Sequence, residues 1–136
     1  MCTCANLRSA TRAVTQLYDA ALRPSGLTAS QFAILATLSA LGAVAQSVLA
    51  HALVMDRTTL IRNLRPLVDR GLIDAAPTGR RGQKTLSLTT AGEGAYRNAL
   101  PHWRTAQQRL ADGLGHGHWG ELIQGLRAAV AAAQAS

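Results

Sequence analysis

Apolar residues recur at the three- and four-residue spacing of a helix along most of this chain. Residues 5–23 follow this pattern, and the Pro-Ser-Gly segment at 24–26 is typical of a helix end. Thr28 or Ser30 is a suitable N-cap for a second helix over residues 31–41. The pattern therefore predicts two helices before Gly42.

The middle of the chain changes from helical to alternating spacing. A short helix is predicted over residues 46–53, and Asp56 is placed to cap a fourth helix that Gly71 ends. The runs at 72–77 and 85–89 partly alternate and are joined by a glycine-flanked basic loop, TGRRGQK, at 78–84. Two short alternating runs joined in this way predict a β-hairpin.

After Thr90 the helical spacing returns. One long helix is predicted to about Leu114 with Pro101 inside it, then a Gly-His-Gly-His turn, then a helix over 119–133. Aromatic residues are 4% of the chain while 48% is hydrophobic, and this composition favours helices over a sheet sandwich.

The order of elements predicts a mainly α fold with a small β-hairpin wing. Three short helices followed by a hairpin, over about residues 28–89, are typical of a winged helix-turn-helix. Its flanks are the helices at about 5–23 and 90–134. At 136 residues the chain fits a single domain, 1–136.

The stretch DRTTLIRNLRPLVDRG, residues 56–71, has two contrasting faces. At about 100° per residue its apolar side chains share an arc of about 120°; they are Leu60, Ile61, Leu64, Leu67 and Val68. The rest of the surface is rich in arginine, threonine and asparagine, without glutamates at helical spacing. These side chains suit base edges and phosphates. The candidate contact residues are Arg57, Thr58, Thr59, Arg62, Asn63 and Arg65. Pro66 should bend the helix after its first two turns.

Charge strengthens this hypothesis. The formal net charge is +7, and residues 56–84 hold seven basic and three acidic residues. A focused basic field suggests a polyanion, with nucleic acid first, an anionic membrane surface second, and a merely solvated basic surface as the plain alternative. Arg80, Arg81 and Lys84 in the predicted wing are candidates for a phosphate backbone or a narrow minor groove.

Other candidate chemistry is sparse. Cys2 and Cys4 form a CxC that is either an oxidant or soft-metal sensor or a pair of inert thiols in a disordered terminus. His116 and His118 are weak candidates for further metal ligands. The seven acidic residues form no catalytic or metal-spaced set, so we expect neither an enzyme nor a cofactor.

No signal peptide is recognisable, and residues 32–55 are better explained by two helices than by one membrane span. A cytoplasmic protein with no membrane role is expected.

Three segments resemble the MarR family of winged-helix regulators: 26–38 (GLTASQFAILATL), 47–73 (SVLAHALVMDRTTLIRNLRPLVDRGLI) and 86–96 (LSLTTAGEGAY). The resemblance implies a homodimer built by the first and last two helices, with one recognition helix per protomer. It also implies a pseudo-palindromic double-stranded DNA operator, usually repression, and release by a small-molecule effector or an oxidant. The family's wing commonly places an aspartate beside its arginines, and residues 78–82 lack it.

Two other hypotheses stay open from the sequence. In one, the chain is a winged-helix architectural or protein-interaction module that binds DNA without sequence preference. In the other, the regulator senses redox state or a soft metal through Cys2 and Cys4.

Overall fold

A computed structural model describes residues 1–135. It contains six α-helices, a short 3-10 turn and three β-strands in these residues. In chain order they are α1 (Thr3–Leu22), the 3-10 turn (Arg23–Ser25), α2 (Ala29–Leu41), β1 (Val44–Ala45), α3 (Gln46–Leu53), α4 (Arg57–Asp69), β2 (Ile73–Pro77), β3 (Lys84–Leu88), α5 (Thr90–Leu114) and α6 (His116–Gln134).

The predicted mainly α fold with a hairpin wing is confirmed. The ends of α2 follow from local chemistry: the Thr28 hydroxyl accepts from the Gln31 N–H, while the Gln31 side chain accepts from the Thr28 N–H. Gly42, with φ +75°, ends the helix. The helix α3 has the predicted bounds, and a capping carboxylate begins α4 as predicted.

One core joins the helices and the sheet. Its most deeply buried members are leucines and one isoleucine contributed by the end of α1, α2, α3, α4 and β3. They are Leu22, Ile34, Leu35, Leu38, Leu49, Leu60, Leu67 and Leu86. Phe32 of α2 packs on Tyr96 and Trp103 of α5, with ring centroids 5.6 and 5.7 Å away. These contacts fix α5 against the winged-helix part of the molecule.

The sheet has an additional strand that the sequence pattern did not predict. Its order is β1-β3-β2, all antiparallel, with Val44 opposite Leu86 and Ile73 opposite Leu88. The strand β1 is two residues long, which is too short to show an alternating pattern.

The prediction of a turn over Gly-His-Gly-His, residues 115–118, is wrong except at Gly115. Gly115, at φ +84°, forms the break, and α6 already begins at His116. The apolar segment 32–55 is divided between α2, β1 and α3, which confirms the prediction of two shorter helices in place of one membrane span. Within residues 1–135, no helix combines the length and the apolar character that crossing a membrane requires.

Candidate nucleic-acid interface

The candidate site begins at the N-terminus of α4. The Asp56 carboxylate accepts a hydrogen bond from the Thr59 N–H at 2.7 Å and so caps the helix. That hydrogen bond, aided by the nearby Arg62 charge, lowers the pKa of Asp56 below its usual value. The preceding turn holds Val54 in a left-handed conformation, φ 53°, which directs the chain from α3 into α4.

The polar face of α4 lies at the surface. Arg57, Thr58, Arg62 and Arg65 are exposed, whereas Thr59 and Asn63 are half-buried. The Asn63 amide donates to the carbonyl of Thr59 at 2.8 Å, so one of its donor groups is engaged within the helix. The exposed part of this face therefore consists mainly of arginine side chains.

The predicted core arc of α4 is too wide. Leu60, Leu64 and Leu67 are buried, but Ile61 and Val68 are 36% and 37% exposed. Both exposed residues line a cleft of about 380 Å³ between α4 and the sheet, together with Leu86. The sheet is only three short strands, so it covers the central row of α4 and leaves the flanking row at the edge of this cleft.

The wing is a closed loop between β2 and β3. The Thr78 N–H donates to the Gln83 carbonyl at 3.3 Å, and the Gln83 N–H donates to the Arg80 carbonyl at 3.1 Å. The Thr78 hydroxyl also accepts from the Arg80 N–H at 3.3 Å. The Thr78 hydroxyl therefore holds the loop backbone by a hydrogen bond to the N–H two residues later. The sequence did not predict this role for Thr78, although threonine commonly makes such a bond in turns.

Cations of the helix and of the wing line a shared cleft: Arg57 and Arg65 of α4 lie there with Lys84 of the wing. Arg80, Arg81 and Lys84 are exposed. A Cβ placed on Gly82 would lie only 3.9 Å from Nη2 of Arg57, so the arginine reaches the base of the wing loop. In the described part of the chain, salt bridges link only Arg97 to Glu93 and His116 to Asp112.

A second cleft lies beside the same arginine. It has a volume of about 400 Å³ and lies between α3, the start of α4 and the wing. Arg57, Gly82 and Lys84 line both clefts. Gln46 and His51 of α3 also line the second cleft, and the sequence did not predict them as site residues. The structure thus brings three of the predicted cations, Arg57, Arg65 and Lys84, to one concave surface without salt bridges among the described residues, while Arg62, Arg80 and Arg81 are exposed. A concave basic surface of this kind is suited to a polyanion.

Arg70 does not belong to this surface. Its Nη1 donates to the carbonyl of Gly26 at 3.0 Å, which ties the end of α4 to the turn that precedes α2. Its charge therefore lies at the opposite end of α4 from the capped N-terminus.

The sensor candidates lie far along the chain from this surface. Cys2 and Cys4 are free and exposed, and they stand at the start of α1 rather than in a disordered terminus. Cys2 Sγ accepts from the Ala5 N–H at 3.5 Å as the N-cap. His116 pairs with Asp112, and His118 Nδ1 lies 3.2 Å from the Leu114 carbonyl oxygen. Residues 1–135 contain no group of three or more His, Cys, Asp or Glu residues arranged to hold a metal ion.

The fold and this surface define a winged helix-turn-helix protein. The family model that describes the MarR family matches residues 27–76. The transcriptional regulator MosR of M. tuberculosis, solved in complex with DNA, is 36% identical, with 99% of this chain and 98% of that chain covered and a TM-score of 0.90. The chain belongs to the MarR family.

More distant solved structures share the fold. BpsR of Bordetella bronchiseptica is 22% identical, with a TM-score of 0.84 and coverage of 95% of this chain and 93% of that chain. A mutant of MarR from E. coli, complexed with operator DNA, is 21% identical, with a TM-score of 0.81 and coverage of 92% and 91%. Comparison with the curated protein sequences gives no significant match.

Proposed function

We propose that this MarR-family transcriptional regulator is a dimeric repressor that binds a pseudo-palindromic operator through α4 and the wing. The observation that carries the proposal is the unpaired basic surface, in which Arg57 joins the exposed face of α4 to the base of the wing loop. MosR and E. coli MarR, whose fold this chain shares, were each solved with DNA.

The two parts of the surface suit different parts of a DNA duplex. In a helix-turn-helix the N-terminal half of the second helix enters the major groove. The exposed candidates Arg57, Thr58 and Arg62 lie within that half, and Arg65 follows them just before Pro66. Thr59 and Asn63 are half-buried beside them and contribute at the edge of the contact. Arg80, Arg81 and Lys84 then reach the flanking backbone or minor groove.

A second copy of the chain is proposed to cover the terminal helices. The first 13 residues, which include the first half of α1, are all exposed. On α6, Leu122, Leu126 and Val130 form a four-residue repeat, and each is between 37% and 41% exposed. A helical segment as short as the exposed half of α1 has only marginal stability by itself in water. An exposed apolar stripe such as that on α6 is typical of a protein–protein interface. Two such surfaces at the two ends of the chain fit a symmetric homodimer.

The experiment is selection of duplexes from a random library by the wild-type chain, followed by competition against bulk genomic DNA. A sequence-specific regulator recovers a motif with two related half-sites and keeps its affinity for that motif when bulk DNA is in excess. An architectural or protein-interaction module recovers no motif, and its binding falls with bulk DNA and salt for all sequences alike.

Release from the operator by a signal is the remaining part of the proposal. The DNA binding of BpsR is regulated by 6-hydroxynicotinic acid, and a small-molecule effector is proposed for this chain as well. The second candidate signal is an oxidant, favoured by two free, exposed thiols at the start of α1.

An oxidant would act on both thiols. Peroxide converts one thiolate to a sulfenic acid, and the other thiol displaces water to form a disulfide. Cys2 is the N-cap of α1 and Cys4 lies in its first turn, so a bond between the two sulfurs requires the start of the helix to rearrange. Release by peroxide or by a soft metal, abolished in Cys2→Ser/Cys4→Ser, supports the thiol signal; unchanged release in that variant rejects it.

A further inference from the structure

The end of α4 is bonded to two other parts of the molecule. Arg70 Nη1 donates to the Gly26 carbonyl at 3.0 Å, at the junction between α1 and α2. The Thr89 hydroxyl donates to the Gly71 carbonyl at 2.6 Å, and the Thr89 N–H donates to the Leu72 carbonyl at 3.1 Å. Three consecutive residues after α4 are thus bonded to the turn that follows α1 and to the N-cap of α5.

Thr89 serves both sides of this junction with one hydroxyl group. It is the N-cap of α5, where it accepts from the Gly92 N–H at 3.0 Å, and it donates its own proton to the Gly71 carbonyl. A hydroxyl can do both at once because it has one proton and two acceptor lone pairs. Capping alone does not require the second bond, so Thr89 does more than begin α5.

The junction also leaves no free space. A Cβ on Gly92 would lie 2.0 Å from the Leu72 carbonyl oxygen, so the first turn of α5 rests directly on the backbone that leaves α4. The start of α5 and the residues that follow α4 therefore pack through backbone atoms at Gly92.

We propose that Thr89 and Arg70 are positioning residues that fix the direction of α4 relative to the terminal helices, and so set the separation of the two recognition helices in the dimer. The inference rests on the proposed dimeric, operator-binding function. A dimer of helix-turn-helix proteins binds half-sites about 34–36 Å apart, so the separation of its helices selects the spacing of the half-sites.

The test compares three Thr89 variants on two duplexes: the two-half-site duplex selected by the wild type, and a duplex that carries one half-site. Thr89→Ser keeps both bonds, Thr89→Asp keeps only the cap because a carboxylate cannot donate, and Thr89→Val loses both. We expect Thr89→Asp and Thr89→Val to bind the two-half-site duplex about tenfold more weakly, because the second protomer no longer meets its half-site in register. Affinity for the one-half-site duplex should stay within about twofold of wild type, and Thr89→Ser should match wild type on both.

Arg70→Gln gives an independent readout. A positioning role predicts the same selective loss on the two-half-site duplex, with an unchanged salt dependence on the one-half-site duplex. If Arg70 instead contacts a phosphate, binding to both duplexes weakens and the salt slope falls by about 0.9 for that phosphate.

Each outcome decides a separate point. If Thr89→Asp binds both duplexes like wild type, or if both affinities fall together in proportion to a lower melting temperature, the positioning role is rejected and Thr89 is only a cap. If the wild type selects no two-half-site duplex, the proposed function fails, and the inference that rests on it fails too.

Discussion

The Asp56 carboxylate caps the N-terminus of α4, where the basic face of the helix begins. It accepts from the Thr59 backbone, and this bond, more than the nearby Arg62 charge, lowers the pKa of Asp56. A preference for aspartate before an apolar-periodic run is a local rule, which is why the cap was predictable from sequence. The bond from Arg70 to Gly26 spans 44 residues, and no local pattern indicates it.

A pH series tests the charged state of this cap. Because the folded pKa of Asp56 is lowered, its contribution to stability is present above the unfolded pKa near 3.8 and is lost as pH falls through the folded value. Asp56→Asn keeps a capping oxygen without the charge. We expect the wild type to have a higher melting temperature than Asp56→Asn at about pH 6, and the difference to shrink toward about pH 3. A difference that is constant with pH would contradict this.

Gly92 has no room for a side chain, even one as small as a methyl group. Its Cβ would approach the Leu72 carbonyl oxygen to 2.0 Å, whereas a Cβ on Gly94, in the same helix, meets nothing within 4 Å. Gly92→Ala should lower the free energy of unfolding by about 3 kcal/mol. Gly94→Ala should raise it by about 0.5–1 kcal/mol because alanine favours the helix. Urea titrations at one protein concentration measure both, and equal midpoints for the two variants would refute the close contact.

Individual elements were predictable to different degrees. Periodicity and caps predicted α2, α3, α4 and the hairpin, because each carries its signal within its own residues. The short β1 exists only through pairing with β3, and the exposure of Ile61 and Val68 depends on how much of α4 the sheet covers. Both are decided by tertiary packing. The basic face of α4 was predicted as a set of residues, but the closeness of Arg57 to Gly82 of the wing loop required the structure.

The wing is expected to contribute affinity without base preference. Arg80→Ala/Arg81→Ala removes two exposed arginines from the loop and should weaken binding to all duplexes alike. The slope of log affinity against log salt should flatten by about 0.9 for each phosphate that the variant no longer neutralises. Arg97→Ala/Arg104→Ala on α5 is the matched control with the same change in net charge. If the two double variants show the same salt slope, the wing assignment is wrong.

At the scale of the whole molecule, the proposed homodimer rests on the exposed apolar stripe of α6 and the exposed start of α1. Leu126→Asp places a charge in the α6 stripe and should convert a dimer into monomers, since a buried unpaired carboxylate opposes association. Val48→Asp on α3, where the native valine is 48% exposed, is the control and should leave the mass at twice that of the chain. Sedimentation equilibrium measures both. A wild-type chain that sediments as a monomer would contradict the proposed homodimer.

The central claim is that the exposed face of α4 distinguishes DNA sequences. The most direct measurement is the ratio of affinities for the selected duplex and for bulk DNA, in wild type, Arg62→Ala and the control Arg97→Ala. We predict that Arg62→Ala loses about 1–3 kcal/mol on the selected duplex, roughly 5- to 150-fold, with a much smaller loss on bulk DNA. Arg97→Ala should keep the wild-type ratio. An unchanged ratio in Arg62→Ala would contradict the account.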